Sequence, residues 1–334
     1  MGFNNCSYNV FGSYIDSTYF RAFHAFKKMT MKILFMGCAN LSLIFSILFL
    51  FESSAAPLLE VNLEDRKVIL IASTHLGVQA IQQDPILENI IKKSKVVCFE
   101  NDPVDVELPK NMQLALFLNR HDEKLENIIG KELYEKAKNY IDPNSLNSKS
   151  LNIFSPYAVA GFINLTEPSW RKFQGSLRPE YSIDSYVLSL ALSNGKKISG
   201  IEDSNALIQS FRSISDDEWK VYVAGSLYLR ACEKCETNFL KHYVESYLPN
   251  DDYRYVYETL KLAYEEKPDM FSIYDKFFFS RRNQEIVENI VQKNFKQDSC
   301  DVIAIGAGHF GGINGIVNRL HKKGFATNSL NGVP

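Results

Sequence analysis

Val68-Ile69-Leu70-Ile71-Ala72-Ser73-Thr74-His75-Leu76-Gly77 is answered far along the chain by Val302-Ile303-Ala304-Ile305-Gly306-Ala307-Gly308-His309-Phe310-Gly311. Each segment is a hydrophobic run, then three small or turn-capable residues, then His, an apolar residue and Gly. A short β-branched run bounded by polar residues reads as a buried strand, here Lys67–Ser73 and Asp301–Ile305. Two further strands end in an acid: Lys95–Phe99 leads into Glu100, and Lys196–Ile201 leads into Glu202.

Working outward from the first segment, Asp84-Pro85 opens a helix with Asp84 as N-cap and Pro85 at the first helical position. Ile86, Leu87, Ile90 and Ile91 form its apolar face, and Lys92 and Lys93 close it where the helix dipole favours cations. The strand at Lys95 follows at once, and a strand–helix–strand crossover implies parallel strands. A second helix spans Ile183 to Ser193 and stops at Asn194-Gly195. Ile286, Val287, Ile290 and Val291 mark another, and Ile313, Ile316, Val317 and Leu320 a last one ending at Gly324. The intervening stretches, 110–175 and 204–275, read as helical, the first broken by prolines and by a polar loop at 145–150. The expected fold is therefore α/β: a central, mostly parallel sheet built from two related β-α-β halves, with helical insertions forming a cap. One domain covers 57–334.

Residues 1–56 are set apart from it. Ile33–Phe51 carries no charge, follows Lys27, Lys28 and Lys32, and leads into Glu52-Ser53-Ser54-Ala55-Ala56-Pro57. A basic lead, an apolar core and a small-residue exit make a secretory signal pattern, with cleavage expected near Pro57. Membrane association through 33–51 is the alternative, since the run is long enough to span a bilayer. The expected location is thus periplasmic or secreted, or else membrane-anchored. An exported chain meets conditions in which its cysteines can pair. Four of them, Cys98, Cys232, Cys235 and Cys300, lie in the folded part and are too few for a disulfide scaffold.

The 334 residues are 46% hydrophobic and 23% charged, a globular composition, and the net charge of −2 comes with no basic stripe. Nucleic-acid binding is therefore not expected. The chemistry points elsewhere. His75, Glu100, Glu202 and His309 all fall just past the C-terminal ends of strands, and open parallel sheets bind ligands outside those ends. Two imidazoles and two carboxylates suit a divalent transition metal (Zn, Mn or Co), with one carboxylate left as a base. Gly306, Gly308 and Gly311 meet the spacing of a dinucleotide loop, but no second β-α-β unit with a ribose-binding acid follows. Cys232-x-x-Cys235 has neither the strand of a redox motif nor the second pair of a zinc site.

Taken together and in order, these segments resemble the TraB/GumN family, similar to the Tiki/TraB group of proposed metalloproteases. Ile71–Gly77 resembles its opening Gly-x-x-His-x-Gly, Val97–Glu100 its next strand and acid, and Tyr181–Asp184 its Asp-headed helix. Gly195–Glu202 resembles its Gly-Leu-Glu strand end, Arg282-Asn283 its Arg-Asn pair, and Ile305–His309 its closing Gly-x-x-His. Ala72 and Ser182 stand where the family has Gly. The resemblance implies a fold like that of the erythromycin-esterase and ChaN groups, and metal-dependent cleavage of a peptide or protein substrate. His75, Glu202 and His309 are then the expected metal ligands, and Glu100, Arg282 and Asp184 the expected catalytic residues. A protein that captures a peptide or haem-like ligand in the same crevice is the other reading.

Overall fold

A computed structural model describes residues 56–63, 66–75, 84–103, 116–119, 123–141, 151–165, 179–232, 253–293 and 300–330. The apolar run at 33–51, the loop at 145–150 and Cys235 lie outside these residues, and with them the expectations placed there. Ser53–Pro334 makes one compact unit. No helix among the described residues is long and apolar enough to cross a membrane.

The described strands are β1 (Leu58–Leu63), β2 (Arg66–Ser73), β3 (Val96–Phe99), β4 (Lys197–Gly200), β5 (Val302–Gly306) and β6 (Ala326–Ser329). They form a six-stranded sheet in the order β4-β3-β5-β2-β1-β6. The four strands β4, β3, β5 and β2 run parallel, and β1 pairs antiparallel with β2 on one side and with β6 on the other. The fold is α/β with a mixed, mostly parallel sheet. The two His-bearing strands are direct neighbours, with Ile69 paired to Val302 and Ser73 to Gly306. β3 also lies against β5, so β5 separates the two strands of the β2–β3 crossover.

The helices, in chain order, are α1 (Pro85–Lys93), α2 (Leu125–Ile129), α3 (Lys131–Tyr140), α4 (Pro156–Leu165), α5 (Ile183–Ser193) and α6 (Ser204–Arg212). There follow α7 (Asp216–Ala231), α8 (Tyr255–Ala263), α9 (Pro268–Tyr274), α10 (Arg281–Lys293) and α11 (Ile316–Lys322). Asp84 caps α1 as its sequence requires, accepting from the Leu87 N–H at 2.9 Å. α5 ends at Asn194, and Gly195 takes a φ of +62°, the left-handed turn that glycine permits. α11 starts three residues later than its apolar spacing suggests: Ile313 precedes it and is 74% exposed. The loop from Phe310 to Gly315 turns instead on Gly312 at φ +73°.

The sheet core draws apolar side chains from α1, α5, α10 and α11 onto the strands. The connections β2–β3 and β3–β4 step one way along the sheet and β4–β5 steps back. Right-handed crossovers in opposite directions put their helices on opposite faces. α1 and α5 accordingly pack on each other, tied where the Tyr186 hydroxyl donates to Glu88 Oε1 at 2.8 Å, and α10 packs on α11. The chain thus leaves β5 toward the face opposite that used by β2 and β3 on either side. Such a switch opens a crevice at the carboxyl ends. Cys98 within β3 and Cys300 just ahead of β5 form a buried disulfide, and at the amino ends of these strands Asp301 Oδ2 accepts from the Lys95 and Val96 N–H groups at 2.5 and 3.0 Å.

A second core lies among α2, α3, α4, α6 and α7, and includes Trp219, Tyr222 and Phe277. A third, of Tyr257, Tyr264, Phe271 and Phe279, joins α8 and α9 to the π-helical turn Asp275–Ser280 that runs into α10. π-helical turns are rare and are enriched at functional sites.

Candidate active site

Because β4, β3, β5 and β2 are parallel neighbours, Glu202, Glu100, His309 and His75 emerge side by side in that order. Gly306, at the end of β5, lies beneath three of them. A Cβ built on it would stand 3.0 Å from Glu100 Oε1, 3.7 Å from His309 Cδ2 and 4.0 Å from His75 Nε2. The missing side chain is what lets these groups approach one another.

Each imidazole is anchored through Nδ1. His75 Nδ1 donates to Asp184 Oδ2 at 2.7 Å, and His309 Nδ1 donates to Asn283 Oδ1 at 2.6 Å. The Asn283 amide has one orientation, because its Nδ2 donates to the Asn314 carbonyl at 2.9 Å. The oxygen must then face His309, so the proton sits on His309 Nδ1 and its Nε2 carries the lone pair. That Nε2 lies 3.6 Å from Glu100 Oε1. Burial pushes His309 down to about 3, which keeps the ring neutral. The Phe279 ring meets it edge-on at 5.4 Å. His75 is exposed, and its hydrogen bond to Asp184 raises it to about 9 against some desolvation.

The two carboxylates differ. Both oxygens of Glu202 are taken by Arg282, Oε1 from Nε at 2.9 Å and Oε2 from Nη2 at 2.5 Å. Glu100 accepts from Arg282 Nη2 at 2.9 Å through Oε2 and from the Gly306 N–H at 2.5 Å through Oε1. Burial opposes ionisation of both. In Glu202 it prevails over Arg282 and the carboxyl is raised. In Glu100 it is overcome by His309, Arg282, His75 and the Gly306 N–H, and the carboxyl falls to about 2. Arg282, though buried, is held well above its ordinary value by Glu100 and Glu202.

The structure therefore brings together all six residues singled out in the sequence, in two linked groups: His75, Asp184, His309 and Glu100, then Arg282 and Glu202. Among the described residues no three His, Cys, Asp or Glu side chains already stand at ligand spacing. The donor chemistry nonetheless suits a cation. Two imidazoles with Nδ1 anchored to oxygen and Nε2 turned inward, beside an ionised carboxylate, are what a divalent metal takes. Asn283 was not singled out for a role of its own. Its place next to Arg282 in one helical turn was the available signal. Cys232 is disulfide-bonded, which excludes it as a free thiol.

Over residues 57–328 the chain matches the TraB/PrgY/gumN family. It belongs to that family. Comparisons with curated proteins and with solved structures give no match.

Proposed function

We propose that the protein is a metal-dependent hydrolase acting on peptides, with a divalent transition metal held by His75, His309 and Glu100. The observation that carries this reading is the paired anchoring of the imidazoles: a carboxylate on His75 Nδ1 and an amide oxygen on His309 Nδ1, with His309 Nε2 3.6 Å from Glu100 Oε1 and His75 Nε2 on the same side of Gly306. Orienting partners of this kind fix the tautomer and raise ligand basicity. Glu202 is the third ligand expected from the sequence, but both its oxygens face Arg282, whereas Glu100 Oε1 lies 3.6 Å from His309 Nε2, so the geometry favours exchanging the two glutamates.

A metal in such a site supplies Lewis acidity and an activated water. The chain's own residues divide the remaining work. Asp184 and Asn283 orient the rings. Glu202 holds Arg282, whose Nη1 makes no hydrogen bond among the described residues and is available to a substrate carbonyl. A carboxyl near 2 is a weak proton acceptor, whereas one raised by burial is closer to working pH, so Glu202 suits proton transfer better than Glu100. Export is part of the proposal, supported by the buried Cys98–Cys300 disulfide, which persists in oxidising compartments.

Metal analysis of the purified chain, with peptide cleavage assayed in parallel, tests the reading. The parent is expected to bind about one metal and to cleave. His75→Ala and His309→Ala are expected to lose both. Metal content and cleavage unchanged in these variants would refute the assignment. A parent that neither binds metal nor cleaves leaves the non-catalytic binding protein in its place.

A further inference from the structure

Tyr274, Phe278 and Arg282 follow one another at four-residue spacing along the continuous helical run from α9 through the π-turn into α10. Residues four apart lie on one helix face, so an aromatic stripe leads to the guanidinium. Two more tyrosines join it from other helices. Tyr157 of α4, Tyr222 of α7 and Tyr274 all lie nearly parallel to the Phe278 ring, with centroids at 6.1, 5.2 and 4.7 Å and interplanar angles of 20°, 28° and 24°. Three helices thus deliver three phenol rings onto one phenylalanine.

Their hydroxyls are unusual. None of the three makes a hydrogen bond among the described residues, although Tyr222 is 9% exposed. Tyr157 and Tyr274 are half-buried, so this side of the cluster is open to solvent, while Tyr222 is buried. Burial raises Tyr157, raises Tyr274 to about 12 and takes Tyr222 well above its ordinary value, so all three remain O–H donors at any working pH. The Arg282 charge opposes the rise at Tyr157 and Tyr274, in keeping with the four-residue spacing that leads the stripe to the guanidinium. Buried polar groups are normally satisfied. A few convergent donors in an aromatic wall are how a pocket orients a ligand.

We infer that Tyr157, Tyr222 and Tyr274, stacked on Phe278 beside Arg282, form a specificity subsite for an uncharged apolar group carrying a hydrogen-bond-accepting carbonyl. Arg282 is already paired with Glu202 through two hydrogen bonds and with Glu100 through a third, which leaves it poorly placed to take up an acid, and neutral phenols add donors without adding charge. The aromatic wall favours a planar or apolar body. The inference deepens the hydrolase reading by naming what the substrate presents, but binding here requires neither metal nor turnover.

The test titrates benzamide and benzoate, matched in shape and different in charge, into the full chain by calorimetry or ligand-observed NMR. Benzamide is expected to bind at least tenfold more tightly than benzoate. Tyr157→Phe, Tyr222→Phe and Tyr274→Phe each keep the ring and delete the hydroxyl. Each is expected to weaken benzamide about threefold to tenfold, the scale of one hydrogen bond, and the triple variant to abolish binding. Their melting temperatures are expected to stay level or rise, because an unpartnered buried hydroxyl is removed. Benzamide binding unchanged in the triple variant, benzoate binding as well as benzamide, or neither ligand binding would each overturn the subsite. So would single variants that melt lower as they lose binding, since the hydroxyls would then be structural. A parent that binds benzamide but has no metal-dependent cleavage sinks the hydrolase reading and leaves the subsite standing. Cleavage with no benzamide binding does the reverse.

Discussion

Replacing Arg282 with Met removes a charge from between two carboxylates while keeping most of the side-chain volume. The Glu202 side chain is 1% exposed, and both of its oxygens are held by Arg282 at 2.9 and 2.5 Å. Two routes give the cost. Charge-assisted hydrogen bonds contribute about 1.5 to 3 kcal/mol each, so losing the two to Glu202 costs about 3 to 6 kcal/mol. Breaking a buried ion pair by removing one partner typically costs about 3 to 5 kcal/mol. With a urea slope of about 3 kcal/mol per molar for a chain of this size, the expected midpoint shift is about 1 to 2 M downward. The cost also has a pH signature. Without Arg282 the buried Glu202 carboxyl is raised further above its unfolded value, and an acid so raised destabilises the fold above its unfolded pKa. The penalty therefore shrinks as pH falls from the raised folded value toward about 4.5, and below that the carboxyl is protonated in both states. Glu202→Gln in the same chain should recover part of the loss at neutral pH, because no ionised group is then stranded. Urea unfolding of the four chains at pH 7 and pH 4.5, with disulfides oxidised, reads all of this. A loss below about 1 kcal/mol, the scale of a surface pair, or strict additivity of the two changes, would refute a coupled buried pair.

Other expectations follow from the same geometry. In the metal-free protein His75 should titrate near 9 by NMR and fall toward 6.5 in Asp184→Asn; the stability it lends is present in full below about 6.5 and is lost as pH rises through 9, and an unshifted His75 in the variant would show that Asp184 does not hold it. The disulfide closes a sequence separation of 202, for which chain entropy alone gives about 5 kcal/mol, an upper figure; Cys98→Ala with Cys300→Ala should lower the urea midpoint clearly, and an unchanged midpoint would contradict the entropic account. Gly312→Ala places a Cβ against the Tyr257 ring at a positive φ and should cost more than about 1 kcal/mol by the same assay. Asn283→Leu should weaken metal binding about 10- to 100-fold with the ligands themselves intact, if an outer-shell partner orients His309; parent-like affinity would remove that role.

The parallel half of the fold was legible because its signals are local. Asp84-Pro85 caps α1, Asn194-Gly195 ends α5, and β2, β3 and β5 are dense in β-branched residues. β1 and β6 were missed as strands. β6 is Ala-Thr-Asn-Ser, largely exposed, and is a strand because its backbone pairs with β1, which no pattern within four small, mostly polar residues records. Ile313 was misplaced in α11 because its spacing to Ile316 and Leu320 is helical, whereas the Gly312 turn leaves it in solvent. The site was readable as far as strand ends go, since a residue just past a parallel strand is placed by the sheet itself. Who holds whom was not. That Glu202 faces Arg282 while Glu100 faces His309 depends on strand order, and nothing local puts β5 between β2 and β3. The tyrosines escaped notice for a similar reason: 157, 222 and 274 share no spacing and meet on Phe278.

The insertion of β5 between β2 and β3 also sets the order in which the molecule can be completed. β2 and β3 are finished within the first hundred residues, yet neither has its central partner until β5 has been made, some two hundred residues after Cys98. Until then the two strands expose unpaired edges, and the hydrophobic faces of α1 and α5 have only part of a sheet to cover. Non-local pairing of this sort is slow and cannot proceed piecemeal from the emerging end. A growing chain therefore stays loose, holding two histidines and two acids that have not met, and becomes a protein and a site in the same closing step. Under the export proposed above, such a delay would keep the chain loose while it is threaded through a membrane.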